Sequence, residues 1–375
     1  MRSLAIVFTW IVVFWAGLCW GGTIYIKPDG TGDVATIGDG MAAAGVGDTL
    51  LLGSGTFTGA GNHGLTVPNK SLTIVSETGN PDDCAVDCDG DLGFYFPDGA
   101  AVIKGITMTD AIWSALRVWT DAGSEVDLRV RGCIFSDCFG PGGGINLDCY
   151  GEVRITGCTF RSNLGGAVCV NASGYLDVLI DSCTFCGNTD YYGGAIRCTT
   201  MEVMATIANS VFYNNSATEA GGAIELGETN AYISGCTFFA NSAPCGSAID
   251  GGLYGPDVVR CILAYGAGGS ALHGYDTWWD PWLSCTNIYG NEGGNWVGVI
   301  ADDLGQNGNF SACPSFCSYE IEPYDLHLCS SSPCLPGNHP DGVNCGLIGA
   351  LGQGCDCGPS RVEPITWGAI KAMYR

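Results

Sequence analysis

From residue 133 to residue 285 the chain returns to one short pattern at nearly fixed intervals. Cys133, Cys158, Cys183, Ser210, Cys236, Cys261 and Cys285 follow one another at steps of 25, 25, 27, 26, 25 and 24 residues. Two positions after the first six of these stand Phe135, Phe160, Phe185, Phe212, Phe238 and Leu263. Four of the units read Phe-x-x-Asn, ending at Asn163, Asn188, Asn215 and Asn241. Each is followed by a small-residue turn: Gly165-Gly166-Ala167-Val168, Gly193-Gly194-Ala195-Ile196, Gly221-Gly222-Ala223-Ile224 and Gly246-Ser247-Ala248-Ile249. A period of this length means one supersecondary unit stacked on copies of itself.

The unit is built of strands. In Val153-Arg154-Ile155-Thr156 and Cys158-Thr159-Phe160-Arg161, apolar and polar residues alternate, the pattern of a strand with one buried face. No run within a unit has helical spacing, and 59 glycines are too many for helices. About 25 residues holding three short strands and three turns make one coil of a right-handed parallel β-helix, where the rest of the coil serves as the crossover that parallel strands need. The predicted fold class is all-β, a single-stranded right-handed parallel β-helix of about ten coils, spanning about 45–50 Å.

Stacking explains which residues recur, because equivalent positions on successive coils lie about 4.8 Å apart. The Phe column is expected to form an internal aromatic stack and the Cys column a second stack of small apolar groups. The Asn column belongs at a turn, with each amide bonding its neighbours along the axis. The Gly pair supplies a corner where side chains would collide.

On these repeats the chain resembles the secreted bacterial right-handed β-helix proteins of the pectate-lyase-like superfamily. The pairing of Phe-x-x-Asn with Gly-Gly-Ala-Ile also resembles the repeat of chlamydial polymorphic outer-membrane proteins, which are autotransporter adhesins. The resemblance implies the fold for nearly all of the mature chain. It leaves the activity open, since one fold hosts lyases, hydrolases, esterases and adhesins. The autotransporters' C-terminal membrane barrel is not expected here. The polygalacturonase-like set of Asn-Thr-Asp-Gly, paired Asp, Gly-His-Gly and Arg-Ile-Lys is represented only by Asn188-Thr189-Asp190, which the Asn turn itself accounts for.

The expected organisation follows from composition along the chain. Residues 1–22 read as a secretory signal peptide, with the apolar run Leu4 to Trp20 after Arg2. Residues 23–60 read as an N-terminal cap with a short helix around Ile37 to Ala44, and 61–310 as the coils. Residues 311–357 are expected to form a Cys-rich C-terminal cap holding His327 and His339. Residues 358–375 read as a linker and short amphipathic tail, Trp367 to Arg375. After removal of the signal, no segment is long and apolar enough to span a membrane as a helix.

The 22 cysteines and the signal peptide place the chain in an oxidising compartment, secreted or on the cell surface. Pairs close in sequence are the expected disulfides: Cys84 with Cys88, Cys313 with Cys317, and Cys329 with Cys334. Core-column thiols are free to stay reduced. The formal charge of −24 excludes a nucleic-acid partner, which needs a basic surface, and disfavours a polyuronate unless calcium bridges the two anions. Asp87, Asp89 and Asp91 alternate as in a calcium loop, although Leu92 stands where such a loop needs Gly. Calcium is therefore a weak candidate there, and no cofactor is required.

The residue after each Ile or Val of the Gly turn is expected to face outward. That column runs Asn146, Cys169, Arg197, Glu225, Asp250 and His273. Arg197, Glu225, Asp250 and His273 are the candidate catalytic residues, with the two carboxylates on adjacent rungs at a separation suited to a retaining glycosidase. Crowding would raise one carboxyl and Arg197 would oppose that shift. Tyr275, Trp278, Trp279 and Trp282 are the candidate ligand-binding residues, an aromatic cluster suited to stacking on sugar rings. The leading expectation is a binding or structural protein, adhesin-like, whose partner is an extracellular glycan or cell-surface component. The alternative is a polysaccharide lyase or glycoside hydrolase acting on an extracellular polysaccharide.

Overall fold

The computed structural model describes residues 21–356 apart from 122, 254 and 275–279. Most of the expected signal peptide, all of the tail 358–375, and Tyr275, Trp278 and Trp279 lie outside the described residues.

Three long parallel sheets wind around one core. The first has eleven strands, from Thr23–Ile26 to Trp282–Ser284; the second has nine, from Leu65–Thr66 to Leu272–His273; the third has ten, from Gly55–Phe57 to Asn287–Tyr289. A typical coil places Glu125–Arg131, Ile134–Ser136 and Ile145–Asp148 in the three sheets in turn. The next coil repeats this with Tyr150–Thr156, Thr159–Arg161 and Val168–Val170. Eleven rungs at about 4.8 Å give a solenoid of about 48 Å. Strand Leu176–Asp181 alternates buried and half-buried residues along its length, so the period-two pattern is burial of one face.

The interior columns are those of the repeat. Phe135, Phe160, Phe185, Phe212 and Phe238 stack face to face, with ring centroids 4.7–5.0 Å apart. Asn188 donates its amide to Phe160 O (3.0 Å) and Asn215 Oδ1 (2.9 Å). Its own Oδ1 accepts from the Asn163 backbone N (3.1 Å) and side-chain Nδ2 (2.9 Å). Asn291 renews this arrangement further on, donating to Leu263 O and accepting from Gly266 N. In the Cys column each side chain accepts the backbone N–H of the preceding rung. Cys158 Sγ takes it from Cys133 N, and Ser210 Oγ substitutes by taking it from Cys183 N.

One member of that column is misplaced by the repeat frame. Ile262 pairs with Asn287, so Cys261 stacks on Thr286 and not on Cys285. A slip of one residue turns the side chain to the opposite face. Cys285 accordingly leaves the core and forms a disulfide with Cys345. A further bridge joins Cys317 to Cys355. The pairs expected from sequence proximity do not form: Cys84, Cys88, Cys313 and Cys334 are free thiols, and Cys317 is taken by Cys355. Three of those four are buried, and no short loop closes them. The core-column thiols Cys133, Cys158, Cys183, Cys236 and Cys261 stay reduced and buried.

At the N-terminal end a helix, Ile37–Ala43, is capped by Thr36, whose side chain accepts from Asp39 N. Its Gly40 lies so close to Ile26 and Leu50 that a Cβ would collide with them. The C-terminal segment meets the last rung, where Asn287 Nδ2 donates to Cys334 Sγ, and also runs back along the coil. Phe316, Leu326, Leu328, Leu335 and Ile348 form a second core with Val211, Phe239, Ile262 and Ala264. Phe239 and Ala264 are strand residues of the ten-stranded sheet, so the segment packs along the outside of that sheet. Ala350 N donates to Thr237 Oγ1, Asn214 Nδ2 to Glu322 Oε1 and His339 Nε2 to Gly308 O. His327 is half-exposed and pairs with Asp325 at 2.7 Å. No helix among the described residues is long and apolar enough to cross a membrane.

Candidate functional site

The nine-stranded sheet carries the outward column. Its register pairs Arg117 with Asn146, Asn146 with Cys169, Cys169 with Arg197, Arg197 with Glu225, Glu225 with Asp250, and Asp250 with His273. Gly corners hold these strands in place. Gly193, Gly221 and Gly246 all have φ near +60°, and a Cβ on Gly221 or Gly246 would strike the backbone N of Glu225 or Asp250 at 2.9 Å. The four candidates therefore stand on consecutive rungs.

Their environment is not the exposed face that strand alternation suggests. Glu225 is only 8% exposed and Asp250 is fully buried, whereas the Arg197 and His273 side chains are each about one-third exposed. Asp250 Oδ1 meets His273 Nδ1 at 2.9 Å. Arg197 Nε lies 3.6 Å from Glu225 Oε2, an ion pair too long for a hydrogen bond, and neither atom has a hydrogen-bond partner among the described residues. The Arg197 guanidinium also lies over the Tyr192 ring, 5.3 Å from its centroid. Burial pushes the Glu225 carboxyl up to about 7, against the pull of Arg197, with the charges of Asp250 and Asp190 adding to the rise. Burial likewise raises Asp190, opposed by the Tyr191 N–H and by Arg197.

The raised Glu225 carboxyl has a consequence for stability. The folded state holds this proton more tightly than the unfolded chain does. Its stabilising contribution is full below the ordinary value of 4.5 and is lost as the pH climbs through about 7. Glu225→Gln is therefore expected to gain about 1–3 kcal/mol on the wild type between pH 4.5 and pH 8. Urea unfolding of both proteins at the two pH values measures this, and an equal difference at both would refute it.

Upstream on the same face lies a groove of about 500 Å³. One side of it is the column Arg117, Asn146, Cys169 and Arg197; the other is Trp119, Asp148, Asn171 and Thr199, two residues further along each strand. Trp119 is 45% exposed, and Arg117 is exposed beside it. Thr199 Oγ1 donates to Asn171 Oδ1 (2.9 Å) and Ser173 Oγ to Asp148 Oδ1 (3.0 Å), which orders the polar wall. Arg117 and Arg197 stand three rungs apart, about 14 Å. Sequence reading missed Arg117 and Trp119, although Ser114-Ala115-Leu116-Arg117 repeats the form of Gly194-Ala195-Ile196-Arg197. The Phe-x-x-Asn half of the signature is missing from that coil, so the match did not stand out.

Of the aromatic candidates, only Trp282 is among the described residues. Trp282 is 56% exposed, but it begins the last strand of the eleven-stranded sheet, paired with Asp257, and so belongs to a different sheet. The acidic candidates near residue 90 are engaged locally. Asp87 Oδ1 accepts from Asp89 N, and Asp91 accepts from Leu92 N and faces His63 at 3.6 Å. Among the described residues, the one trio of potential ligands that converges is Cys317, Cys329 and Cys355, and a disulfide already joins two of these.

Comparison with known proteins agrees with the architecture. Residues 93–263 match the family model of a right-handed β-helix region. The crystal structure of pectate lyase Pel9A superposes with a TM-score of 0.55 at 13% identity, covering 88% of this chain and 96% of that one. A pectin methylesterase from carrot matches with a TM-score of 0.36 at 12% identity, over 79% and 89% of the two chains. The family PL6 alginate lyase AlyGC matches with a TM-score of 0.35 at 11% identity, over 80% of this chain and 54% of that one. At 13% identity the likeness to Pel9A concerns the fold alone. No curated protein matches the sequence.

Proposed function

Taking a right-handed parallel β-helix with a polar, aromatic-edged groove along one sheet as the starting point, we propose that the protein binds an extracellular glycan, with the saccharide chain lying along the solenoid axis in the groove of Arg117, Trp119, Asn146 and Arg197. The observation that carries this reading is the groove itself. It is long and open, has one exposed indole on its edge for a sugar face, and has hydrogen-bonding groups at rung spacing along its floor. Export through the expected signal peptide agrees with this partner, and the bridges Cys285–Cys345 and Cys317–Cys355 are compatible with an oxidising compartment.

Trp119→Ala and Arg117→Gln are each expected to weaken binding about tenfold, as loss of an anchor does. Calorimetric titration of the mature chain with a panel of neutral and uronate oligosaccharides tests this. Unchanged affinity in both variants would move the ligand elsewhere.

One observation favours a second reading, polysaccharide cleavage. Glu225 stands one rung beyond the groove with its carboxyl pushed up to about 7, which suits an acid–base group at neutral pH. New reducing ends or unsaturated uronate from the wild type, lost in Glu225→Gln, would establish cleavage.

A further inference from the structure

Arg197 belongs to two environments at once. It closes the downstream end of the groove, and on the next rung it faces the carboxylate of Glu225 at 3.6 Å. That contact is loose. Arg197 Nε and Glu225 Oε2 are both buried, and neither is completed by a hydrogen bond among the described residues. A guanidinium has five N–H donors in a planar fork, and a carboxylate that approaches it from the groove would meet better geometry than Glu225 offers. Arg197 is held in place by the Tyr192 ring and not by the ion pair alone, so releasing Glu225 does not set it adrift.

We propose that Glu225 is an internal competitor for Arg197, and that the protonation of Glu225 decides whether Arg197 is available to an anionic group of a bound saccharide. The inference rests on the groove as the glycan site and deepens it: Arg197 becomes the charge-selecting residue and Glu225 its regulator.

The groups around Glu225 fix the sign. Arg197 faces it from the preceding rung and Asp250 from the following one, with His273 paired to Asp250 beyond; Asp190 acts on it from strand Thr189–Tyr192, which belongs to a separate four-stranded sheet. Below about pH 7 Glu225 is neutral, and the positive charge of Arg197 is directed to the groove. Above that pH the new carboxylate neutralises Arg197 and adds a third negative charge beside Asp250 and Asp190, which repels an anionic ligand. Neutral saccharides are indifferent to both effects. A chain of net charge −24 thereby presents a cationic contact only where the rung pattern places an arginine, and only in part of the pH range.

The test is calorimetric titration at constant ionic strength with a mannuronate hexamer and with cellohexaose, at pH 5.5 and pH 8.5. The wild type is expected to bind the hexauronate about tenfold more tightly at pH 5.5. Glu225→Gln keeps the tight binding at both values, Arg197→Gln binds weakly at both, and cellohexaose shows no pH dependence in any of the three. The contrast between wild type and Glu225→Gln is expected to persist in a His273→Gln background, which separates the second titratable side chain. Uronate affinity that is independent of pH in the wild type, or pH dependence fully retained in Glu225→Gln, would overturn the inference while leaving the groove reading intact. Failure of both saccharides to bind the wild type would overturn the groove reading and the inference together. A ligand-free check uses carboxyl-labelled glutamate: the Glu225 midpoint is expected to rise in Arg197→Gln, and an unchanged midpoint would show that the two residues are not coupled.

Discussion

Asn188→Leu is expected to be the most damaging single substitution in the coil, costing about 4–6 kcal/mol. The leucine has the same branched outline and is no smaller, so the cost is not a cavity. It is the loss of four side-chain hydrogen bonds and the orphaning of groups that water cannot reach. Asn163 N and Phe160 O both lose their partners inside a fully buried ladder. Each such group costs about 1–3 kcal/mol when left unsatisfied. Because a solenoid transmits stability mainly between neighbours, the damage is expected to centre on the coils holding Asn163, Asn188 and Asn215. Hydrogen exchange followed by mass spectrometry measures this directly. Uniform weakening along the whole chain, or protection equal to wild type in those coils, would contradict it.

Phe185→Ala is expected to cost about 3–5 kcal/mol by opening a cavity between two rings. Phe185 has a neighbour on each side, at 4.8 Å and 4.7 Å, with interplanar angles of 3° and 1°. Neither ring can close the gap without moving its own strand, which three sheets hold in register. Phe185→Leu should cost only about 1–1.5 kcal/mol, because Leu263 already fills the same position two coils after Phe212. Urea melts of the pair test the argument. Equal losses for Ala and Leu would mean that ring stacking, and not volume, dominates the column.

Both substitutions concern positions that could be named from the chain alone. The Phe, Asn and Cys columns were legible because a fixed period brings equivalent residues together at one spacing, whatever else the protein does. The outward column was legible for the same reason: Arg197, Glu225, Asp250 and His273 occupy consecutive rungs because each follows the same Gly turn. The groove was half legible. Asn146 and Arg197 stood in the repeat frame, but Arg117 and Trp119 lay in a coil whose signature was incomplete.

What the sequence determined by itself was therefore the rung: strand, turn, column and the stacking of one coil on the next. Local alternation and a 25-residue period suffice for that, since every contact involved is between neighbours. Tertiary structure alone decided what lies over the outer faces. It set Cys285 outside the core by a one-residue register difference and joined it to Cys345 across 60 residues. It laid the Cys-rich segment back along the ten-stranded sheet as well as against its last strand. It also buried Glu225 and Asp250, which alternation alone would have left in water. Those outcomes depend on segments that do not repeat, packing at distances no period encodes, and they change a polar column into one whose central carboxyl holds its proton near neutrality.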